Sequence, residues 1–215
     1  MNVSVPSRAA QMAQATFRVL LNALSHPGTV YSLGPVIQSQ GLNLSGPHGL
    51  AMIASAFLDD QVSYAVCGSG KDHWERTIAR ATAATPQSDM GDAAWVFFLP
   101  GLSDSDMAIA RRRVPCGTLE APHEGATLVF AVEAISEYPG VPDCLQIRLR
   151  GPGIQNLQQL SITGWNHEWI AVRRELNLES PRGIDIVLVD EQGQIAALPR
   201  STAVERLEKP WDTSE

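Results

Sequence analysis

The chain has 215 residues, of which 44% are hydrophobic and 18% charged, and it carries a formal net charge of -7. An ordinary apolar fraction with dilute charge excludes disorder as the dominant state and predicts one globular domain, read as 1–207 and followed by a loosely held tail at 208–215. The only basic run is Arg111-Arg112-Arg113, so the clustered cations that displace counterions from phosphates are missing and no nucleic acid is expected as a partner.

From Ser7 to Ser25 the residues Ala13, Phe17, Leu20, Leu21 and Leu24 recur at helical spacing, and the helix stops at His26-Pro27-Gly28. Val30 to Val36 reads as a short strand or extended piece, and Gly41 to Gly46 as a polar turn. Pro47 suits the first turn of a helix through Leu50, Met52, Ile53 and Phe57, after which Val62 to Val66 forms a strand. Gly68-Ser69-Gly70 then turns the chain into a helix from Lys71 to Thr82, with Trp74, Ile78 and Ala81 inward. Ala93 to Leu99 is a continuous apolar run bounded by Asp92 and Pro100-Gly101, the pattern of a fully buried strand. Ser103 to Arg113 is a helix with Ser103 or Asp104 as N-cap and three arginines at its C-terminal end, where cations suit the helix dipole.

Strands follow at Thr127 to Glu133, Leu145 to Leu149 and, more briefly, Leu160 to Thr163. Asn166 to Asn177 is a helix with Trp169, Ile170, Val172 and Leu176 on or near one face, stopped by Pro181-Arg182-Gly183. Ile184 to Val189 and Gln194 to Leu198 form the clearest hairpin, and Ala203 to Leu207 a short helix. Interleaved helices and strands predict a three-layer α/β domain with a mixed sheet whose late strands are antiparallel. No stretch reaches the ~18–20 apolar residues of a membrane span and no leader is evident, so the chain is expected in the cytoplasm with no membrane contact.

The chemical motifs exclude more than they assign. Cys67-Gly68-Ser69-Gly70-Lys71-Asp72 sits between a strand and a helix, but Ala65 replaces the first glycine of a Walker A loop and Asp72 its magnesium-binding hydroxyl. His26, His48, His73, His123 and His167 never fall at helical metal-ligand spacing, and no metal site is expected. Cys67, Cys116 and Cys144 are too scattered for a disulfide framework and read as reduced thiols. Ser69, Ser161 and Ser201 lack a G-x-S-x-G elbow. Arg200-Ser201-Thr202 after the last hairpin strand offers a guanidinium and two hydroxyls, either for a phosphate or carboxylate or as a solvated strand end that caps the next helix. Asp185, Arg150 and His26, the last in a Pro/Gly loop, complete the candidate ligand-binding set, and no residue is singled out as catalytic. Trp165 and Trp169 fit either a core or an interface, and Trp211 in the tail is the better interface candidate.

Four stretches carry a resemblance. They are the first helix with Phe17-Arg18, Leu21, Ala23, Ser25 and Pro27-Gly28, and Pro122 to Val132 with Glu124-Gly125-Ala126-Thr127-Leu128. The third is the turn Leu149-Arg150-Gly151-Pro152-Gly153-Ile154, and the last runs from Gly183-Ile184-Asp185 to Pro199-Arg200-Ser201-Thr202. In this order and spacing, over essentially the whole chain, they resemble the PhnH family, the H subunits of the bacterial carbon–phosphorus lyase core complex for phosphonate use. The resemblance implies a fold similar to the large domain of pyridoxal-phosphate (PLP)-dependent transferases but without PLP or another cofactor. It also implies a homodimer when isolated, and a place beside the G, I and J subunits of the complex. In that family the G, H and I subunits, with L, turn ATP and methylphosphonate into ribose 1-methylphosphonate 5-triphosphate, with catalysis assigned to I, before J cleaves the carbon–phosphorus bond. The alternative is a free-standing PLP-dependent enzyme, for which only Lys71 and Lys209 are available as the cofactor lysine.

Overall fold

The computed structural model describes residues 7–39, 48–138 and 143–207. The sequence-predicted turn at 41–46, Pro47, the tail at 208–215 with Lys209 and Trp211 lie outside these residues. In the first part of the chain, α1 (Arg8–Ser25) leads to β1 (Tyr31–Ser32), α2 (Gly34–Ser39), α3 (His48–Phe57), β2 (Ser63–Cys67), α4 (Lys71–Thr82), β3 (Thr85–Pro86), β4 (Trp95–Phe98) and α5 (Asp104–Arg113). The second part holds β5 (Thr127–Val132), β6 (Ala134–Ser136), β7 (Leu145–Arg150), β8 (Gln158–Thr163), α6 (Glu168–Leu176), β9 (Asp185–Asp190), β10 (Gln194–Leu198) and β11 (Ala203–Arg206).

Seven strands form a mixed sheet in the order β1-β10-β9-β5-β4-β2-β3, with β9, β5, β4, β2 and β3 parallel and β10 and β1 antiparallel at one edge. Its central strands are buried on both faces, which is why they read as apolar runs rather than alternating patterns. Val96, Phe98, Leu128, Phe130, Ile186 and Leu188 point to one side of the sheet, and Phe97, Leu99, Val129, Val187 and Val189 to the other. On the second side pack α1, α3 and α4 through Leu20, Ile53 and Ile78. The first side is covered by α5 and α6 and by a second sheet, antiparallel, in the order β11-β7-β8-β6. Trp169 packs there against Phe98 and Phe130, with ring centroids 5.0 and 4.7 Å apart, and Trp165 lies 5.8 Å from Phe130. Both tryptophans belong to the core.

Local chemistry sets the element ends. The Ser7 hydroxyl caps α1 by accepting from the Ala10 amide, and Ser103 with Asp106 forms a capping box at the start of α5. At the C-terminal end of β9 the buried Asp190 carboxylate accepts from the amides of Gln192, Gln194 and Ile135, tying the hairpin turn to β6, and its desolvation raises its pKa.

Several expectations need correction. Val30 to Val36 is not one strand, because only Tyr31 and Ser32 find β10 before α2 begins. Ala203 to Leu207 is no helix: β7 offers an open edge, and Ala203 to Arg206 pair with it as β11. The inward face of α1 is turned toward Thr16, Leu20 and Ala23, leaving Phe17 and Leu21 more than two-fifths exposed, and Ala81 of α4 faces solvent.

Candidate functional site

The N-terminal ends of β5 and β9 lie side by side, with Thr127 opposite Asp185, and of the sequence-predicted site residues all but His26 gather around this end of the sheet. The hairpin register sets Ile186 against Leu198, so Asp185 meets the segment just beyond β10. There the Asp185 carboxylate accepts from the Arg200 amide at 2.7 Å, from its Nη2 at 2.7 Å and from its Nε at 3.2 Å. Arg200 Nη1 donates to the Pro122 carbonyl at 2.6 Å. The pair is about four-fifths buried on each side chain, so its attraction is weakly screened compared with a surface pair. Arg200 and Asp185 therefore form a clasp joining β9, the segment after β10 and the short 3-10 turn Pro122–Glu124.

Three glycines allow the clasp to close. A Cβ on Gly125 would collide with the Gly183 carbonyl and come within 3.0 Å of Arg200 Nη1. The Gly183 amide donates to the Cys116 carbonyl at 2.8 Å, and Asn177 brackets Ile184, donating to its carbonyl at 3.2 Å and accepting from its amide at 2.7 Å. Gly151, with φ 148, lies where a Cβ would come within 2.9 Å of the Ser201 carbonyl and 3.2 Å of Thr202 Cα. The turn after β7 thereby abuts the segment after β10.

Ser201 and Arg150 are exposed on this rim, whereas Thr202 is buried and its hydroxyl has no protein partner. His26 is held apart from the clasp: its Nδ1 lies 3.1 Å from the Asn22 carbonyl and 3.2 Å from the Tyr31 hydroxyl. It joins the region only through its neighbours, since Gly153 packs on Ser25 and Pro27, and Gln158 donates to the Gly28 carbonyl at 3.3 Å.

Arg173 is the residue that sequence reading missed. It is only 4% exposed, its Nη2 donates to the carbonyls of Pro199 and Thr202, and its Nε has no protein partner. Burial lowers its pKa to about 10, with Asp185 opposing the shift. Its position four residues after Trp169 marks the inward face of α6, which was the available signal. Cys116 lies near Arg182 and Arg200, yet burial outweighs both cations and raises its thiol pKa. Among the described residues no group of three or more His, Cys, Asp or Glu side chains is placed to hold a metal ion.

The stretches that carried the family resemblance meet in this region, and the comparison with protein families agrees with it: the bacterial phosphonate metabolism protein (PhnH) family matches residues 6–205. The chain belongs to the PhnH family. Among curated proteins it is 30% identical over 193 residues to the "Putative C-P lyase subunit protein HtxG" of Stutzerimonas stutzeri, covering 89% of this chain and 85% of that protein. This PhnH protein has no helix, among the described residues, long and apolar enough to cross a membrane.

Proposed function

We propose that this chain is a subunit of a carbon–phosphorus lyase assembly, taking the H position beside G, I and J subunits. In that role it supports, with G, I and L, the formation of ribose 1-methylphosphonate 5-triphosphate from ATP and methylphosphonate, and it contributes scaffold rather than the reacting groups. The observation that carries this reading is the PhnH match over 6–205, supported by the whole-chain likeness to HtxG. The proposal includes a homodimer for the isolated chain, residence in the cytoplasm, and kinship of the mixed seven-stranded sheet with the large domain of PLP-dependent transferases.

A free-standing PLP enzyme is not favoured. Its internal lysine has to be desolvated or otherwise activated. Lys71 is instead 44% exposed, with the Glu75 carboxylate 3.8 Å away. Visible absorbance on adding pyridoxal phosphate, lost in Lys71→Ala, would reverse that judgement.

For the cluster around Arg200 the geometry favours the clasp. Arg200, Asp185 and the Thr202 carbonyl are already engaged with protein groups. A second reading, ligand holding by Arg200, Ser201, Thr202, Asp185, His26 and Arg150, is supported by the exposed Ser201 and Arg150 at one rim. Copurification with tagged G and I subunits tests the main proposal: stoichiometric recovery is expected, and a chain that never joins them refutes it. Phosphonate-dependent growth separates the two readings of the cluster. Ser201→Ala with Arg150→Ala leaves growth unchanged if the cluster is a clasp and lowers it if the rim holds a ligand.

A further inference from the structure

The parallel strands change direction of travel between β2 and β4. The chain leaves β2 through α4 toward β3 on one side, and leaves β4 through α5 toward β5 on the other. The two helices cover opposite faces of the sheet. Open α/β sheets bind ligands outside the carboxyl ends of their strands at such a switch point. Beside this switch point a crevice of about 710 Å³ opens along β2, walled by the strand and its turn into α4, by the segment after β3 and by the flank of α5 from Asp106 to Arg113. Its Gly68–Lys71 part lies at the opposite end of the parallel strands from the Arg200 clasp, and Asp89 and Arg113 line it toward their amino ends.

The charged groups in this crevice are unequally committed. Asp106 accepts from the Ser103 amide at 2.9 Å and the Ser103 hydroxyl at 2.7 Å, and it also faces the Cys67 thiol. Asp89 accepts from the Gly91 amide at 2.9 Å and pairs with Arg113 at 3.3 Å. Lys71 has Glu75 as its ion-pair neighbour, at 3.8 Å, which is beyond hydrogen-bond length. Its ammonium, with three donors, and the Arg113 guanidinium, with one of its five donors on Asp89, are thus the cations with capacity to spare, and Lys71 is the one beside Ser69. Around it the crevice presents the exposed hydroxyls of Ser69 and Ser88 and the amide of Gln87. Ile109 adds an apolar patch on the α5 flank.

We propose that this crevice binds the oxyanion of a small phosphate- or phosphonate-bearing metabolite, with Lys71 and Ser69 holding the oxyanion and Gln87 and Ser88 the polar remainder. An ammonium and neighbouring hydroxyls make charge-assisted hydrogen bonds to a tetrahedral oxyanion, and the volume leaves room for an organic body. The site rests on geometry. The choice of phosphorus over a carboxylate rests on the phosphonate-metabolism reading.

Isothermal titration of the full chain with inorganic phosphate and, separately, with methylphosphonate tests the proposal. Saturable binding of either is expected, weakened at least about tenfold in Lys71→Met and in Ser69→Glu. Arg112→Gln, which removes a charge from α5 without lining the crevice, should leave it unchanged. Tighter binding of methylphosphonate assigns the site to phosphonates, and tighter binding of phosphate to phosphate-bearing compounds. No saturable binding of either probe, or equal affinity in the wild type and Lys71→Met, overturns the proposal. Lys71→Gln with a thermal melt controls for misfolding. Copurification of Lys71→Met with G and I subunits keeps failure of the site distinct from failure of assembly.

Discussion

Gly125→Ala is the sharpest probe of the clasp, because it adds one methyl group where the backbone itself is undemanding. Gly125 has φ -67, a conformation open to any residue, so the substitution carries no intrinsic backbone penalty. Its new Cβ would collide with the Gly183 carbonyl, and would stand 3.0 Å from Arg200 Nη1 and 3.2 Å from the Cys116 carbonyl. Two of these are backbone atoms, and the third belongs to a guanidinium fixed at 2.6 Å from the Pro122 carbonyl. Alanine must therefore part the segments or break the Arg200 contact. Overpacking costs about 1–3 kcal/mol and a lost charged hydrogen bond about 1.5–3 kcal/mol, and the two overlap, so about 3 kcal/mol is expected. At about 2–4 °C per kcal/mol for a chain of this size, Tm should fall by about 6–12 °C. Gly101→Ala is the control: a Cβ there meets nothing within 4 Å but inherits φ +77. That costs about 1 kcal/mol, or about 2–4 °C. Calorimetry and urea unfolding on both variants decide the matter. Equal losses, or a Gly125→Ala loss below about 1 kcal/mol, would refute the tight seam.

Arg173→Met should cost about 1–3 kcal/mol in urea unfolding, because the buried carbonyls of Pro199 and Thr202 lose their donor while the released desolvation of the cation offsets part of the loss. Ser103→Ala should cost about 1 kcal/mol through loss of the α5 cap. The same cap makes stability depend on acid pH. Ser103 lowers the Asp106 pKa from its ordinary 3.8, so the contribution is full above that value and disappears as pH falls through the folded-state pKa. Asp106→Asn should flatten that acid limb, and an unchanged slope would count against it. Burial, followed by Asp106, pushes the Cys67 thiol up to about 11. Peptide-resolved thiol labelling at pH 8 should therefore be roughly a hundredfold slower at Cys67 in the folded chain than in urea.

What was legible in the sequence depended on how local its cause was. α1, α4, α5 and the β9–β10 hairpin follow from caps, breakers and a turn glycine, all within a few residues of the element they define. In the second sheet β7 and most of β8 were legible as strands, but β6 and β11 were not. Ala203 to Arg206 contains good helix formers, and nothing nearby in sequence reveals that the open edge of β7, more than fifty residues earlier, will capture it. The approach of Asp185 to Arg200 could have been read from the hairpin register alone, since pairing Ile186 with Leu198 carries Asp185 to the residues that follow β10. Arg173 was hidden by its charge: a basic residue on a helix reads as solvent-facing until its spacing from Trp169 is weighed.

The two ends of the parallel sheet divide the work unevenly. At the amino end, close backbone approaches at Gly125, Gly151 and Gly183 leave no room for side chains, and most polar groups there are consumed by protein partners. These close approaches specify the fold, and variants in them should fail first by unfolding. At the carboxyl end, Gly68 to Lys71 lies in none of the stretches that carried the resemblance, and there the walls stand apart around an under-coordinated cation. Variants there should keep Tm and lose function. A substitution series measured for both stability and phosphonate-dependent growth would separate the two ends: growth should track Tm across the clasp and be independent of it across the crevice. A crevice series in which growth falls only when Tm falls would leave this end with no role beyond the fold.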